Sequence, residues 1–230
     1  FRDGNGDGLL EWGSDPYPEG ESRGYAVSSL LAAKYESGLD NSPMYDDVVF
    51  NKKSHTMELA DVGLNSLYAL DTWALAQIAM ELRKENTALE LKKEYNRIKD
   101  AVNTELWNEE KGIYLNKTWE GEFSFRKSPT CFYPMIAGIA SEEQAKRLVN
   151  EHLLNTEEFW GEYVIPSISR DDRSFHDNDY WRGRIWGPMN FLVSEGLKRY
   201  GYYDTAYEFA KKGLALFRKE WSEKSHLHEN

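Results

Sequence analysis

The chain has 230 residues, with 28 Lys and Arg against 39 Asp and Glu, which gives a formal net charge of −11. This length suffices for one large or two small domains, and 40% hydrophobic with 29% charged residues is typical of a soluble globular protein. The acidic balance argues against nucleic acid as a partner, and no apolar run reaches the roughly 18 residues of a membrane span. The single cysteine, Cys131, excludes an internal disulfide.

Aromatic residues make up 14% of the chain, including 8 Trp and 14 Tyr. Their flat faces and polar tips suit the apolar faces and hydroxyl edges of sugars, although they also serve as core residues. The chain begins with Phe1 rather than Met and stops at Asn230 without a terminating pattern. We therefore expect it to be a piece of a longer protein.

Apolar residues at three- and four-residue spacing predict helices along most of the chain. The second predicted helix begins at Asn86 or Thr87. Ser141 and Gln144 fit a capping box at the start of the third predicted helix. Extended pieces at 112–115 and 122–125 predict one small hairpin. The predicted helices cover 67–82, 88–106, 142–153, 192–200 and 204–221.

Two connections are long, at 39–55 and 155–179, and long ordered loops are usually functional. Paired helices with such loops favour a helical toroid, although periodicity alone is equally compatible with an irregular bundle. No linker or low-complexity tract divides the chain, so one domain over 1–230 is predicted.

The segment DGNGDGLLE places oxygen side chains at Asp3, Asn5 and Asp7, with glycines between them. This is the opening half of a calcium loop, D-x-N-x-D-G, without the Glu at the twelfth position. It predicts a structural Ca²⁺ site completed by a distant carboxylate such as Glu58 or Asp61. The alternative is an Asx- and Gly-rich turn without metal.

Asp40 follows the end of a predicted helix near Glu36, in the turn sequence Asp-Asn-Ser-Pro. By itself this segment fits an ordinary turn. The segment 179–190 combines two Trp, two Arg and an Asn at a helix entrance, and 158–163 is similarly aromatic. Such segments are either packed helix starts or surfaces that bind a sugar.

Taken in order, eight segments resemble glycoside hydrolase family 63, the processing α-glucosidase family with bacterial members, which is close to the trehalases. The resemblance implies an all-α fold, an (α/α)6 barrel. Twelve helices with their loops need roughly 350 residues, so it also implies that 1–230 is a partial catalytic domain lacking flanking parts at both ends. The segments are DGNGDGLLEWGSD, YESGLDNSPMYDD, ADVGLNSLYALD, LWNEEKGIYLN, SPTCFYP, EFWGEYVIPSISR, YWRGRIWGPMNF and HEN.

The resemblance further implies that Asp40 is the general acid, that Glu229 is the general base and that Asp3, Asn5 and Asp7 form the metal loop. Asp40 would need a raised pKa, from burial or from an anion such as Glu36. No organic cofactor is implied. The residues implied to bind the sugar are Trp181, Arg182, Trp186 and Asn190, with weaker support for Trp12, Glu36, Trp160 and Glu162.

The implied function is hydrolysis of α-glucosides, either oligosaccharides or small glycosides, with inversion at the anomeric carbon. The alternatives are a trehalase or a hydrolase of glucosyl or mannosyl glycerate, and a sugar isomerase ranks lower because it would be expected to use His. A carbohydrate-binding helical toroid is the non-enzyme alternative. The sequence does not indicate a compartment.

Overall fold

The computed structural model describes residues 2–15 and 29–227. It is mostly helical, which confirms the predicted all-α class. None of the helices in these ranges has the length and hydrophobicity of a bilayer-spanning segment. The α-helices are α1 (Leu30–Ser37), α2 (Val62–Glu81), α3 (Glu85–Ala101), α4 (Tyr133–Ile136), α5 (Glu142–Arg147), α6 (Gly187–Arg199) and α7 (Tyr203–Lys224).

Two of these helices continue as π-helix, α3 through Val102–Leu106 and α5 through Leu148–Leu153. The predicted capping box at the start of α5 is confirmed, since Ser141 and Gln144 each bind the other's backbone N–H. Short 3₁₀ turns lie at Pro43–Tyr45, Pro129–Phe132 and Phe175–Asp177.

The strands are only two residues long. β1 (Phe50–Asn51) pairs antiparallel with β2 (Thr56–Met57), and β3 (Leu59–Ala60) pairs antiparallel with β6 (Lys117–Thr118). The predicted hairpin around Gly121 is present, but its first arm is 116–118 instead of 112–115, because Ile113 to Leu115 are buried in the core. The strands are β1 (Phe50–Asn51), β2 (Thr56–Met57), β3 (Leu59–Ala60), β4 (Trp107–Asn108), β5 (Ile113–Tyr114) and β6 (Lys117–Thr118).

The chain divides into two compact units, and the predicted single domain over 1–230 stays a prediction. Unit 1 comprises Phe1–Trp107 and Leu115–Phe125. Its main helix pair is α2 and α3. The buried residues of α2 are mostly small, such as Ala69, Ala76 and Ala79, whereas most of the apolar stripe that predicted this helix is exposed, with Ile78 at 54%. Small side chains allow two helices to pack closely, which explains this choice of face.

Unit 2 comprises Asn108–Tyr114 and Arg126–Asn230. Helix α6 packs against α4 and α7 in this unit. A Cβ atom at Gly196 of α6 would lie 3.1 Å from Met135 Cβ, so glycine permits the close approach of α6 to α4. The residues predicted to be buried behind the capping box are buried, among them Leu148 and Leu153.

Candidate active site

The acidic loop at residues 3–11 of unit 1 is organised by its own side chains. The Asp3 carboxylate accepts hydrogen bonds from the Gly6 and Gly8 N–H groups at 2.7 and 3.0 Å, and Asp7 Oδ1 accepts from Leu9 N–H at 2.8 Å. Asn5 Nδ2 donates to Asp7 Oδ2 at 2.8 Å. Gly6 and Gly8 have φ of 78° and 89°, a conformation that glycine adopts without steric cost.

The carboxylate that joins Asp3 and Asp7 is Glu11, since one oxygen from each of the three lies within 4.8 Å of the others. The distant carboxylates suggested by the sequence have other partners: Glu58 accepts from Asn51, and Asp61 accepts from Tyr45. Oxygen donors so close together suit a hard cation such as Ca²⁺.

Glu11 is fully buried, and this burial raises its pKa to about 7. Hydrogen bonds from Gly4 N–H at 2.7 Å and Trp119 Nε1–H at 3.2 Å act in the opposite direction, and the charges of Asp7 and Asp3 raise the pKa further. Without a compensating cation, the anionic form of Glu11 is therefore disfavoured relative to that of an exposed Glu.

Two side chains fix the acidic loop to the helices of unit 1. Asn65 of α2 accepts from Leu10 N–H and donates to the Leu10 carbonyl, both at 2.9 Å. Arg97 of α3 donates to the Gly8 carbonyl at 2.8 Å. The loop is thus held at two points by rigid elements.

Asp40 lies on a turn directly after α1. Gly38 ends the helix with φ of 72°, and Ser42 N–H donates to the Leu39 carbonyl at 2.8 Å, which closes the turn around Asp40. The Asp40 side chain is half-buried, and no hydrogen-bond donor within the described ranges contacts its carboxyl.

Glu36, suggested by the sequence as an anionic neighbour of Asp40, forms an ion pair with Arg2 at 2.9 Å. Arg2 also contacts Asp15 at 3.0 Å. The charge of Glu36 is thus partly compensated within unit 1.

Trp12 is half-buried, and its carbonyl accepts from Met57 N–H at 2.7 Å. Asp61 is 1% exposed and caps α2 through a hydrogen bond from Leu64 N–H at 2.8 Å. Burial raises the pKa of Asp61, and its hydrogen bonds oppose the increase.

In unit 2, the rings of Trp181 and Trp186 stack face to face, 3.6 Å apart and 9° from parallel. Both are buried, and Trp186 Nε1–H donates to the Tyr180 carbonyl at 2.9 Å. These two residues stabilise the entrance of α6, since each covers one face of the other.

Arg182 and Asn190 are engaged with neighbouring residues. Arg182 donates to Asp177 at 2.7 Å and to Ser174 Oγ at 2.8 Å. The Asn190 amide accepts from Ile165 N–H at 2.6 Å and donates to the Ile165 and Trp186 carbonyls at 3.3 and 2.9 Å. Asn190 also lines a cavity of about 600 Å³ beside α7, within the usual size range of small-molecule pockets.

The segment at 158–163 is fixed from two sides. Lys212 of α7 donates to the Gly161 carbonyl at 2.6 Å, and its ammonium lies 5.5 Å from the centre of the half-buried Trp160 ring. Glu162 is exposed. Glu158 is buried, accepts from Lys127 at 2.7 Å and contacts His152 Nδ1 at 2.7 Å.

The structure brings Asp3, Asn5 and Asp7 together in one loop of unit 1, and it stacks Trp181 on Trp186 in unit 2. Glu229 lies outside the described residues. Sequence reasoning did not identify Glu11, Lys127 or the buried role of Asp61. Glu11 continues the odd-numbered positions of the acidic loop, and Asp61 directly precedes a helix, but neither pattern reveals its tertiary partners.

Residues 2–230 match the family described as the mannosylglycerate hydrolase MGH1-like glycoside hydrolase domain. Mannosylglycerate hydrolase from Thermus thermophilus is 30% identical over 170 residues, which are 71% of this chain and 38% of that protein. The chain thus spans well under half the length of this relative.

Solved structures give the same result as the sequence comparisons. The GH63 mannosylglycerate hydrolase from Thermus thermophilus, in complex with Tris, superposes with a TM-score of 0.63 at 26% identity, over 70% of this chain and 38% of that one. Neutral trehalase Nth1 from Saccharomyces cerevisiae has a TM-score of 0.70 at 20% identity, over 86% of this chain and 37% of that one. The latter likeness establishes the fold, that of the (α/α)6 barrels, as predicted.

The family model covers nearly every residue, and the predicted resemblance to glycoside hydrolase family 63 is confirmed. The chain therefore belongs to the mannosylglycerate hydrolase MGH1-like family of glycoside hydrolase domains.

Proposed function

We propose that the full-length protein is an inverting glycoside hydrolase that acts on small α-glycosides. The observation that carries this proposal is the family match over residues 2–230. Asp40 supports it, because its half-buried carboxyl lies on a fixed turn and receives no hydrogen bond from any residue in the described ranges.

In the proposed mechanism, Asp40 is the general acid that protonates the leaving glycosidic oxygen. Glu229 is the general base that deprotonates a water attacking the anomeric carbon from the opposite face. Inverting enzymes hold these two carboxyl groups about 6.5–9.5 Å apart, which leaves space for that water. Trp12, Glu36, Trp160 and Glu162, together with the Trp181–Asn190 segment, contribute sugar contacts in this proposal.

For the substrate, the resemblance noted in the sequence favours α-glucosides, whereas the Thermus thermophilus relative is named a mannosylglycerate hydrolase. We propose glycerate conjugates of mannose or glucose as the first substrates to test. Trehalose and a second α-linked disaccharide of glucose complete the panel, because the fold is shared with a trehalase.

Replacement of the acid provides the test. In the full-length protein, we expect Asp40→Asn to lower kcat on the best substrate of the panel at least about a hundredfold, since general acid catalysis contributes roughly 10²–10⁴. Asp71→Asn, an exposed Asp of α2, is the matched control and should keep normal kcat. Near-normal turnover by Asp40→Asn would refute the assignment.

We also propose that Asp3, Asp7 and Glu11, together with Asn5, hold a structural Ca²⁺. Ca²⁺ takes six to eight oxygen ligands, and the three clustered carboxylates supply part of that set. The buried Glu11 supports the proposal, because a cation would compensate charge that is otherwise shielded from water.

A further inference from the structure

Asp61 makes more hydrogen bonds than a helix cap requires. Its Oδ1 accepts from Leu64 N–H at 2.8 Å, which is the capping interaction. Its Oδ2 accepts from Tyr45 Oη–H at 3.0 Å and from Asn116 Nδ2–H at 3.2 Å. Three segments of unit 1 thus converge on one carboxyl that is 1% exposed.

One of these donors leads to the proposed general acid. Tyr45 is 0% exposed and ends the 3₁₀ turn Pro43–Tyr45, which the Ser42 hydroxyl caps by accepting from Met44 N–H. Ser42 in turn closes the turn that carries Asp40. The short segment around Asp40 is therefore fixed on one side by the Gly38 cap of α1 and on the other by the hydrogen bond between Tyr45 and Asp61.

The second donor makes the arrangement rigid. Asn116 donates to Asp61 and accepts from Val62 N–H at 2.8 Å through its Oδ1, so that it joins the hairpin to the first turn of α2. Asp61 is consequently held on a rigid helix terminus. Catalytic geometry is sensitive to small displacements, and a shift of about 1 Å can cost a hundredfold in rate.

We infer that Asp61 is a positioning residue for the hydrolysis, which holds the turn of Asp40 through Tyr45. This inference rests on the proposed function. The alternative is that Asp61 only caps α2. Asn caps helices as well as Asp does, so Asp61→Asn preserves the cap but turns an N–H₂ group toward the donors of Tyr45 or Asn116.

The test compares Tyr45→Phe and Asp61→Asn in the full-length protein with Tyr114→Phe. Tyr114 is a matched control, because it is also 0% exposed and its hydroxyl donates to Gln144 at 3.0 Å, outside the proposed site. Each variant is assayed on the best glycoside and on the corresponding α-glycosyl fluoride. Fluoride is a far weaker base than an alkoxide, so it leaves with little help from a general acid.

We expect Tyr45→Phe to lower kcat on the glycoside about tenfold with unchanged KM, and to stay within about threefold of wild type on the fluoride, since only acid catalysis is impaired. Asp61→Asn should show the same difference between the two substrates, because it also disturbs the hydrogen bond that holds Tyr45. Tyr114→Phe should lose comparable thermal stability with normal kinetics.

The inference is wrong, and Asp61 is only structural, in either of two cases. In the first, both variants have the kcat and KM of Tyr114→Phe. In the second, both variants lose kcat equally on the glycoside and on the fluoride. An Asp40→Asn variant assayed alongside separates this outcome from failure of the proposed function. Normal turnover by Asp40→Asn would refute the assignment of Asp40 as the general acid. An inactive Asp40→Asn variant beside a normal Tyr45→Phe variant would overturn only the inference about Asp61.

Discussion

Lys127 lies between two carboxylates, with Nζ 2.7 Å from Glu158 and 2.6 Å from Asp171. Burial would lower the pKa of Lys127, but its hydrogen bonds to both partners raise it. Burial would likewise raise the pKa of Asp171, but the hydrogen bond from Lys127 lowers it below its usual 3.8. The pair therefore fixes residues 158 and 171 of the same long connection.

The ion pair between Lys127 and Asp171 predicts a pH-dependent contribution to the free energy of unfolding. Because the pKa of Asp171 is lower in the folded protein, its contribution is present above about pH 4 and is lost as the pH falls through the folded pKa. We expect Asp171→Asn to lower the free energy of unfolding at pH 7 by less than about 1 kcal/mol, because Asp171 is nearly half exposed.

The measurement is urea unfolding of the wild type and Asp171→Asn at several pH values. Their difference should shrink toward zero near pH 2. Asp100→Asn, an exposed residue of α3, serves as a control for nonspecific charge effects. A difference that stays constant from pH 7 to pH 2 would contradict the assigned role of the ion pair.

At the scale of elements, the acidic loop depends on two helices for its position. Asn65 of α2 and Arg97 of α3 bind its backbone at Leu10 and Gly8. A cation bound by the loop would therefore stabilise the packing of both helices. Such stabilisation amounts to about 2.7 kcal/mol when the free ligand is at a hundred times its Kd.

We expect 1 mM CaCl₂ to raise the Tm of the full-length protein relative to excess EDTA, and Glu11→Gln to abolish most of this increase, because it removes one carboxylate of the cluster. Glu122→Gln on the exposed hairpin is the control and should respond as the wild type does. An equal Tm with Ca²⁺ and EDTA in the wild type would exclude a structural calcium.

At the scale of the whole molecule, the proposed reaction needs residues from near both ends of the chain. Asp40 follows α1, whereas Glu229 lies 189 positions later in the sequence, outside the described residues. In an inverting enzyme the two carboxyl groups act on opposite faces of the sugar. The stereochemistry of the product therefore reports on the roles of both residues together.

We predict that ¹H NMR of the first product released from an α-glycoside shows the β-anomer, before mutarotation mixes the two forms. Glu229→Gln should lose at least about a hundredfold in kcat, as the general base. Initial formation of the α-anomer would indicate retention, and the assignment of Asp40 and Glu229 as acid and base would then be wrong.

The predictions that succeeded from sequence depend on local interactions. A capping box joins residues three positions apart, so Ser141 and Gln144 identify the start of α5 without any tertiary information. Helical periodicity likewise identified α2, α3, α6 and α7 within a few residues. Each segment that implies the family is also a continuous stretch of sequence, and the family match confirms the resemblance.

The sequence by itself thus determined the fold class, the family and the turn on which Asp40 lies. Only the tertiary structure decided which face of α2 is buried, that Glu11 joins Asp3 and Asp7, and that Asp61 accepts from Tyr45 and Asn116. The physical reason is separation along the chain. Glu11 and Trp119 are 108 positions apart, and their hydrogen bond depends on the folding of every residue between them.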